Sequence, residues 1–241
     1  MIVLFYHLWQ GEGWELLFQQ QMFNLYVSGL YDAADVINIC VAGNQLLPFQ
    51  WKKFDVKYIK DVSSELDSLK LLYDYCSLNE CKVLYFHSKG LSYNGYKERE
   101  YVDAWRLYLE YYVINKWNEC VHLLDEYDIV GTEWDDKSVV YVDRNKQIDA
   151  DTSGFYVGNF WWANGSYVRK LDREMLERYD YIHKKRGYDI SKLSNEYKQQ
   201  ILRFNAELFI GSGECSHYSF KMLHLVDFKF YEENCMGELL C

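Results

Sequence analysis

Short, strongly apolar segments alternate along this chain with longer segments patterned as helices, and that alternation constrains the fold more than any other feature. Residues 2–8 (IVLFYHL) read as a buried strand, followed by a helix from about Trp14 to Ser28 that stops at Gly29. Asp35–Ala42 (DVINICVA) is a second strand ending at Gly43, and Lys57–Ile59 a short third. Ser63 or Ser64 caps a helix through Cys76, with Glu65 and Asp67 in its first turn and Leu66, Leu69, Leu72 and Tyr73 on one face. Val83–Phe86 (VLYF) is the next strand, and a long helix runs from about Glu98 to Leu124. Tyr127–Gly131 and Gly154–Ala163 read as further strands, with helices near Val168–Tyr181 and Ser194–Ile210. Helices alternating with short apolar strands predict an α/β fold with a mostly parallel central sheet covered on both faces.

The 241 residues suit one such domain, and no repeat or Pro/Gly/Ser linker divides them. No stretch approaches the ~20 apolar residues that span a bilayer. The apolar N-terminus lacks a basic start and a small-residue cleavage site, so it reads as a strand and the expected location is cytoplasmic. The seven cysteines (40, 76, 81, 120, 215, 235, 241) are odd in number and show no CxxC, which favours reduced thiols over a zinc site or a disulfide framework. A net charge of −10 argues against non-specific nucleic-acid or anionic-membrane binding. Any phosphate must therefore meet a local positive site. With 23 Tyr and 8 Trp against one Pro, most rings must be core, and a minority can line a groove that takes sugar faces.

Open parallel sheets bind ligands beyond the carboxyl ends of their strands, which directs attention to particular loops. His7 ends the first strand; it is either a satisfied histidine under the sheet edge or a group facing a ligand. Phe86-His87-Ser88-Lys89-Gly90 delivers donors, a fixed positive charge and a permissive backbone into the crevice, which suits a diphosphate. The competing reading is a surface turn closed by Gly90. In GNFWWA (158–163), adjacent Trp161 and Trp162 point to opposite sides if extended, so one is core while the other faces the crevice, and Asn159 is placed to bond a sugar hydroxyl. Asn164-Gly165-Ser166 matches a glycosylation sequon and reads as a turn. Glu207 is a candidate general base on a helix, or else a glutamate paired with Arg203 one turn earlier. His217 and His224 either close over a nucleotide or lie on the surface.

The chain resembles GT-A-fold (Rossmann-like) glycosyltransferases of bacterial capsule and lipopolysaccharide pathways and of large algal viruses that glycosylate their capsids, and is more distantly similar to rhamnan-synthesis proteins. The residues that carry the resemblance are His7 and Trp14, SGLY at 28–31, FHSKG at 86–90, Trp105-Arg106, YDIVG at 127–131, GNFWWA at 158–163 and AELFIGS at 206–212. The resemblance implies a nucleotide-sugar donor, UDP-linked or another pyrimidine nucleotide, and a growing surface or capsid glycan as acceptor. It implies a nucleotide-binding part of about 1–135 and an acceptor-side part of about 136–241. His87 and Lys89 would sit near the diphosphate with Arg106 supporting their loop, Asn159, Trp161 and Trp162 beside the sugar and acceptor, and Glu207 nearest the reacting centre. The chain departs from the family pattern at the Asp-x-Asp that usually holds Mn²⁺ or Mg²⁺, where His87-Ser88-Lys89 stands instead. Asp149-Ala150-Asp151 and Asp135-Asp136 are the remaining acidic candidates for a divalent metal, and Lys89 is the alternative countercharge. A glycoside hydrolase needs two carboxylates across one bond, and the sequence offers no such pair. A nucleotide- or sugar-binding module that has lost activity, and a purely structural interaction protein, are the non-catalytic alternatives.

Overall fold

The computed structural model describes residues 1–59, 65–91, 96–137, 139–143, 146–178, 180–189 and 195–220. The Ser63/Ser64 cap and His224 lie outside them. In chain order the elements are β1 (Ile2–Trp9), α1 (Trp14–Val27), α2 (Leu30–Ala33), β2 (Val36–Ala42), β3 (Phe54–Ile59), α3 (Glu65–Leu78) and β4 (Lys82–His87). Then come α4 (Tyr96–Glu110), a π-helical turn (Tyr111–Asn115), α5 (Trp117–Leu123), β5 (Ile129–Thr132), β6 (Trp134–Asp135), β7 (Val139–Asp143), β8 (Lys146–Asp149), β9 (Phe155–Tyr156) and β10 (Trp161–Asn164). The chain continues through α6 (Gly165–Val168), α7 (Glu174–Glu177), α8 (Tyr181–Lys185) and α9 (Asn195–Leu208), a 3-10 turn (Phe209–Gly211) and β11 (His217–Phe220).

Seven strands form one sheet in the order β11-β5-β10-β4-β1-β2-β3. Every neighbouring pair is parallel except those of β10, which runs antiparallel between β4 and β5. This is the expected α/β architecture with a mostly parallel sheet. In β1, Leu4, Tyr6 and Leu8 join one apolar cluster with α1 and α4, while Val3 and Phe5 join a second with α3 and α9. A strand buried on both faces needs no polar alternation, which is why IVLFYHL is continuously apolar. Among the described residues no helix is long and apolar enough to cross a membrane.

Three expected elements are corrected. The long helix over 98–124 is interrupted by the π turn at Tyr111–Asn115 and by Lys116, so α4 and α5 are separate. Within the π turn the Val113 carbonyl accepts the Trp162 indole N–H at 2.8 Å. The supposed strand Gly154–Ala163 is β9 and β10 joined by a turn. The Asn159 N–H donates to the Tyr156 carbonyl at 3.0 Å, and Gly158 and Asn159 take φ of 94° and 59°. Positive φ at the third residue of a type II turn is a glycine position, and it ends the extended run there. The helix placed at 168–181 is instead three short ones, α6, α7 and α8.

Candidate functional site

The chain passes from β1 to β2 and β3 on one side, then returns to place β4 on the other, so the strand order reverses between β1 and β4. At such a switch point the carboxyl ends leave a crevice. His7 and His87 are register partners at those two ends. The first turn of α3 packs against these ends through Ser68 and Glu65. Ser68 Oγ lies 2.8 Å from His7 Nδ1, and His7 is buried, so the satisfied reading of this histidine holds while it still borders the crevice.

Glu65, the first residue of α3, is the centre of the arrangement. Its Oε2 accepts from Asn159 Nδ2 at 2.7 Å and from the Tyr85 hydroxyl at 3.1 Å, and its Oε1 lies 3.6 Å from His87 Nδ1. Burial alone would raise the carboxyl pKa, but His87, His7, the Asn159 bond and Arg203 outweigh it and bring it down to about 2. Glu65 is a fixed anion at neutral pH. His87 Nε2 lies 2.9 Å from the Gly158 carbonyl, which only accepts, so that nitrogen carries the hydrogen. Desolvation lowers the His87 pKa to about 4, against Glu65, which raises it. The neutral ring therefore turns an acceptor Nδ1 towards an acceptor Glu65 Oε1, a pair of acceptors that a hydroxyl donor beside them would satisfy.

Asn159 is held from both sides: its Nδ2 donates to Glu65, and its Oδ1 accepts from the Trp161 indole at 2.8 Å. A buried non-glycine residue at positive φ with both amide ends engaged is preorganised.

The loop after β4 is tied back to β1. Ser88 N–H donates to the His7 carbonyl at 3.0 Å and Ser88 Oγ accepts from Trp9 N–H at 2.9 Å, so Ser88 anchors the loop. Gly90 has φ of 103°, and a Cβ there would meet Val102 Cγ1 at 3.1 Å. Lys89 is only 5% exposed, and its Nζ stands 3.6 Å from the centroid of the Trp105 ring. No carboxylate among the described residues comes within 4.0 Å of it. Burial, with Arg203 adding to it, lowers the Lys89 pKa to about 8, against Glu207 and Glu65.

Arg106 supports this loop indirectly. It donates to Glu110 Oε1 at 2.8 Å and to Asp103 Oδ1 at 3.3 Å. Glu110 in turn accepts from Gln21 Nε2 at 2.9 Å, and the same amide lies 3.2 Å from the His87 carbonyl. With two carboxylates engaged, the guanidinium braces the loop, and its buried Nε has no hydrogen-bond partner among the described residues. Glu207 lies on α9 with Oε1 3.9 Å from Arg203 Nε, so the expected pairing is present. Burial raises its pKa, with Arg203 and Lys89 opposing. Two glutamates in one cluster are thus pushed in opposite directions, a pattern that suits an acid–base group beside a fixed charge.

Other expected residues are elsewhere. Trp161 and Trp162 do point to opposite faces, but both are fully buried, each in a different core cluster, so neither ring faces the crevice. Arg186 lies 3.6 Å from Asp149 Oδ1 and 3.4 Å from Asp151 Oδ1, and Lys185 also pairs with Asp151. Asp135 Oδ1 accepts from the Lys137 N–H at 2.8 Å. Among the described residues no group of three or more His, Cys, Asp or Glu is arranged to hold a metal ion. The Asp149–Asp151 pair, already facing Arg186 and Lys185, does not fit the Mn²⁺ or Mg²⁺ of the GT-A pattern. His217 opens β11 and stacks on Trp134 at a centroid distance of 4.3 Å. Sequence reasoning missed Glu65 and the Gln21–Glu110 link; a helix-first glutamate beside the crevice was the available signal for the former.

A family model described as a domain of unknown function, DUF8361, matches residues 19–217. No curated protein matches the chain.

Proposed function

The chain belongs to the DUF8361 family, and from its crevice we propose that it is a glycosyltransferase that moves a sugar from a nucleotide-sugar donor to a glycan acceptor. The observation that carries this reading is Lys89, a buried ammonium over Trp105 with no carboxylate within 4.0 Å among the described residues. A cation taken out of water without a contacting carboxylate favours an anionic ligand. A nucleoside diphosphate is such a ligand, and it fits the carboxyl edge of parallel strands. The sheet order, with β10 the one antiparallel strand, is compatible with a GT-A sheet.

In this reading the donor diphosphate lies against Lys89 and Arg203, and the sugar and acceptor hydroxyls meet His87 and Glu65, which Asn159 holds in place. Glu207, whose carboxylate burial makes more basic, takes the proton of the acceptor hydroxyl. The acceptor oxygen forms its bond to the anomeric carbon as the bond from that carbon to the diphosphate oxygen breaks. The charge that develops on the leaving diphosphate is met by the two cations. No step is routed through a divalent metal.

A thermal-shift screen against UDP-, GDP-, dTDP- and CMP-sugars, each with and without Mn²⁺, tests the reading, because specific binding raises the melting temperature with ligand concentration. Stabilisation by one nucleotide family, slow hydrolysis of that donor, and loss of turnover without loss of binding in Glu207→Gln are expected. Stabilisation without turnover would identify a binding module instead, and no stabilisation at millimolar donor would remove the donor assignment.

A further inference from the structure

Cys76 and Cys81 stand apart from the crevice at the opposite end of the same two elements. Cys76 is in the last turn of α3, and Cys81 immediately precedes β4. Their sulfurs are 3.7 Å apart, and both are free thiols. A disulfide brings sulfurs to about 2.05 Å, and these two are already in van der Waals contact. Only Asn79 and Glu80 lie between the end of α3 and Cys81, so no regular element has to break. The backbone on either side is braced: Arg169 Nη1 donates to the Cys76 carbonyl at 3.2 Å and pairs with Glu80, and the Gly165 N–H donates to the Cys81 carbonyl at 2.7 Å.

We propose that Cys76 and Cys81 are a peroxide-oxidised dithiol that closes to an intramolecular disulfide tethering α3 to β4. The two thiols are unequal. Cys76 is fully buried, whereas Cys81 is 8% exposed, so a small oxidant meets Cys81 first. The hydrogen bond from Cys76 and the Arg169 guanidinium lower the Cys81 thiol pKa, against burial and Glu80, while Cys76 is raised. The Cys81 thiolate attacks one oxygen of hydrogen peroxide, forming an S–O bond and releasing hydroxide. The Cys76 sulfur then attacks that sulfenic sulfur, expelling the second oxygen as water with the Cys76 proton. The sum is two thiols and one peroxide to one disulfide and two waters. Cys40 and Cys120 serve as internal comparisons, because each is fully buried against oxygen partners, Ser68 and the Tyr112 carbonyl. The tether joins the end of the helix that begins with Glu65 to the start of the strand that ends with His87.

The test is to treat the purified full chain with graded hydrogen peroxide, alkylate with iodoacetamide after denaturation, and digest with trypsin. Cleavage after Lys70 and Lys82 leaves both cysteines in one peptide, Leu71–Lys82. The expected result is that this peptide becomes lighter by two hydrogens and refuses alkylation while the Cys40 and Cys120 peptides still take the label. If Leu71–Lys82 accepts two alkyl groups at peroxide levels that already oxidise Cys215, or carries sulfinic acid with no internal bond, the proposal is overturned. In Cys76→Ser the sulfenic acid on Cys81 has no resolving thiol and should be trapped by dimedone; no adduct there would overturn the order of attack.

Discussion

Asn159 donates to Glu65 across 2.7 Å although 94 residues separate them in the chain. The contact joins the turn before β10 to the first residue of α3, and it is one of two that hold the Asn159 amide. Asn159→Ala loses the bond to a charged acceptor and leaves the Trp161 indole unpaired. A loss of about 2–3 kcal/mol in urea unfolding at pH 7 is expected. A loss within 0.5 kcal/mol, the ordinary range of a surface change, would mean that the turn stands without this bond.

Glu65 governs the acid limb of stability. Its folded carboxyl lies at about 2, below the ordinary 4.5, so its contribution is complete above pH 4.5 and is lost as pH falls towards 2. Glu65→Gln should therefore destabilise at pH 7 and flatten the decline between pH 4.5 and 2. An unchanged acid limb in that variant, read by denaturant midpoint against pH, would place the pH sensitivity on other carboxylates.

Lys89 should give two opposite trends over one pH window. Its folded pKa is about 8 against an ordinary 10.5, so the cost of its burial is full below pH 8 and is relieved between pH 8 and 10.5, where fold stability gains. Affinity for UDP should fall through the same window as the ammonium is lost. Lys89→Met should abolish both trends and weaken UDP at pH 7 by about tenfold or more, the equivalent of 1.4 kcal/mol. Calorimetric titration at pH 7 and pH 9 on both proteins checks this. Equal UDP affinity in the variant would remove Lys89 from the site.

Trp162→Ala should behave as a core lesion, with a cost of about 3–5 kcal/mol and equal damage to every activity. The ring is fully buried and bonded to the Val113 carbonyl at 2.8 Å. Thermal denaturation beside a donor-binding assay separates this from a selective acceptor defect, which the buried position does not allow.

The sheet was legible because a strand covered on both faces writes itself as an unbroken apolar run, as in VLYF at 83–86. The rule that ligands meet the carboxyl ends of parallel strands led to His7 and Lys89, which the structure gathers with Asn159 around Glu65. Glu65 was read only as a helix-first acid, because what changes its character is Tyr85, His87 and Asn159 arriving from other strands. The split at 111–116 has no proline or glycine to announce it; it contains the Val113 carbonyl that accepts from Trp162 of another strand. Pairs of acids near Asp149 looked like metal ligands in one dimension, whereas α8 brings Arg186 against them in three.

The position of β10 bears on how the chain is made. β4 borders β10, and β10 borders β5, so the sheet cannot be completed in the order in which its strands leave the ribosome. Until residues 161–164 emerge, β4 and β5 each keep an open edge of unpaired backbone. A truncated product ending before Trp161 would carry those edges permanently. Such fragments should aggregate, and a nascent chain stalled there is the species for which a chaperone would have most use.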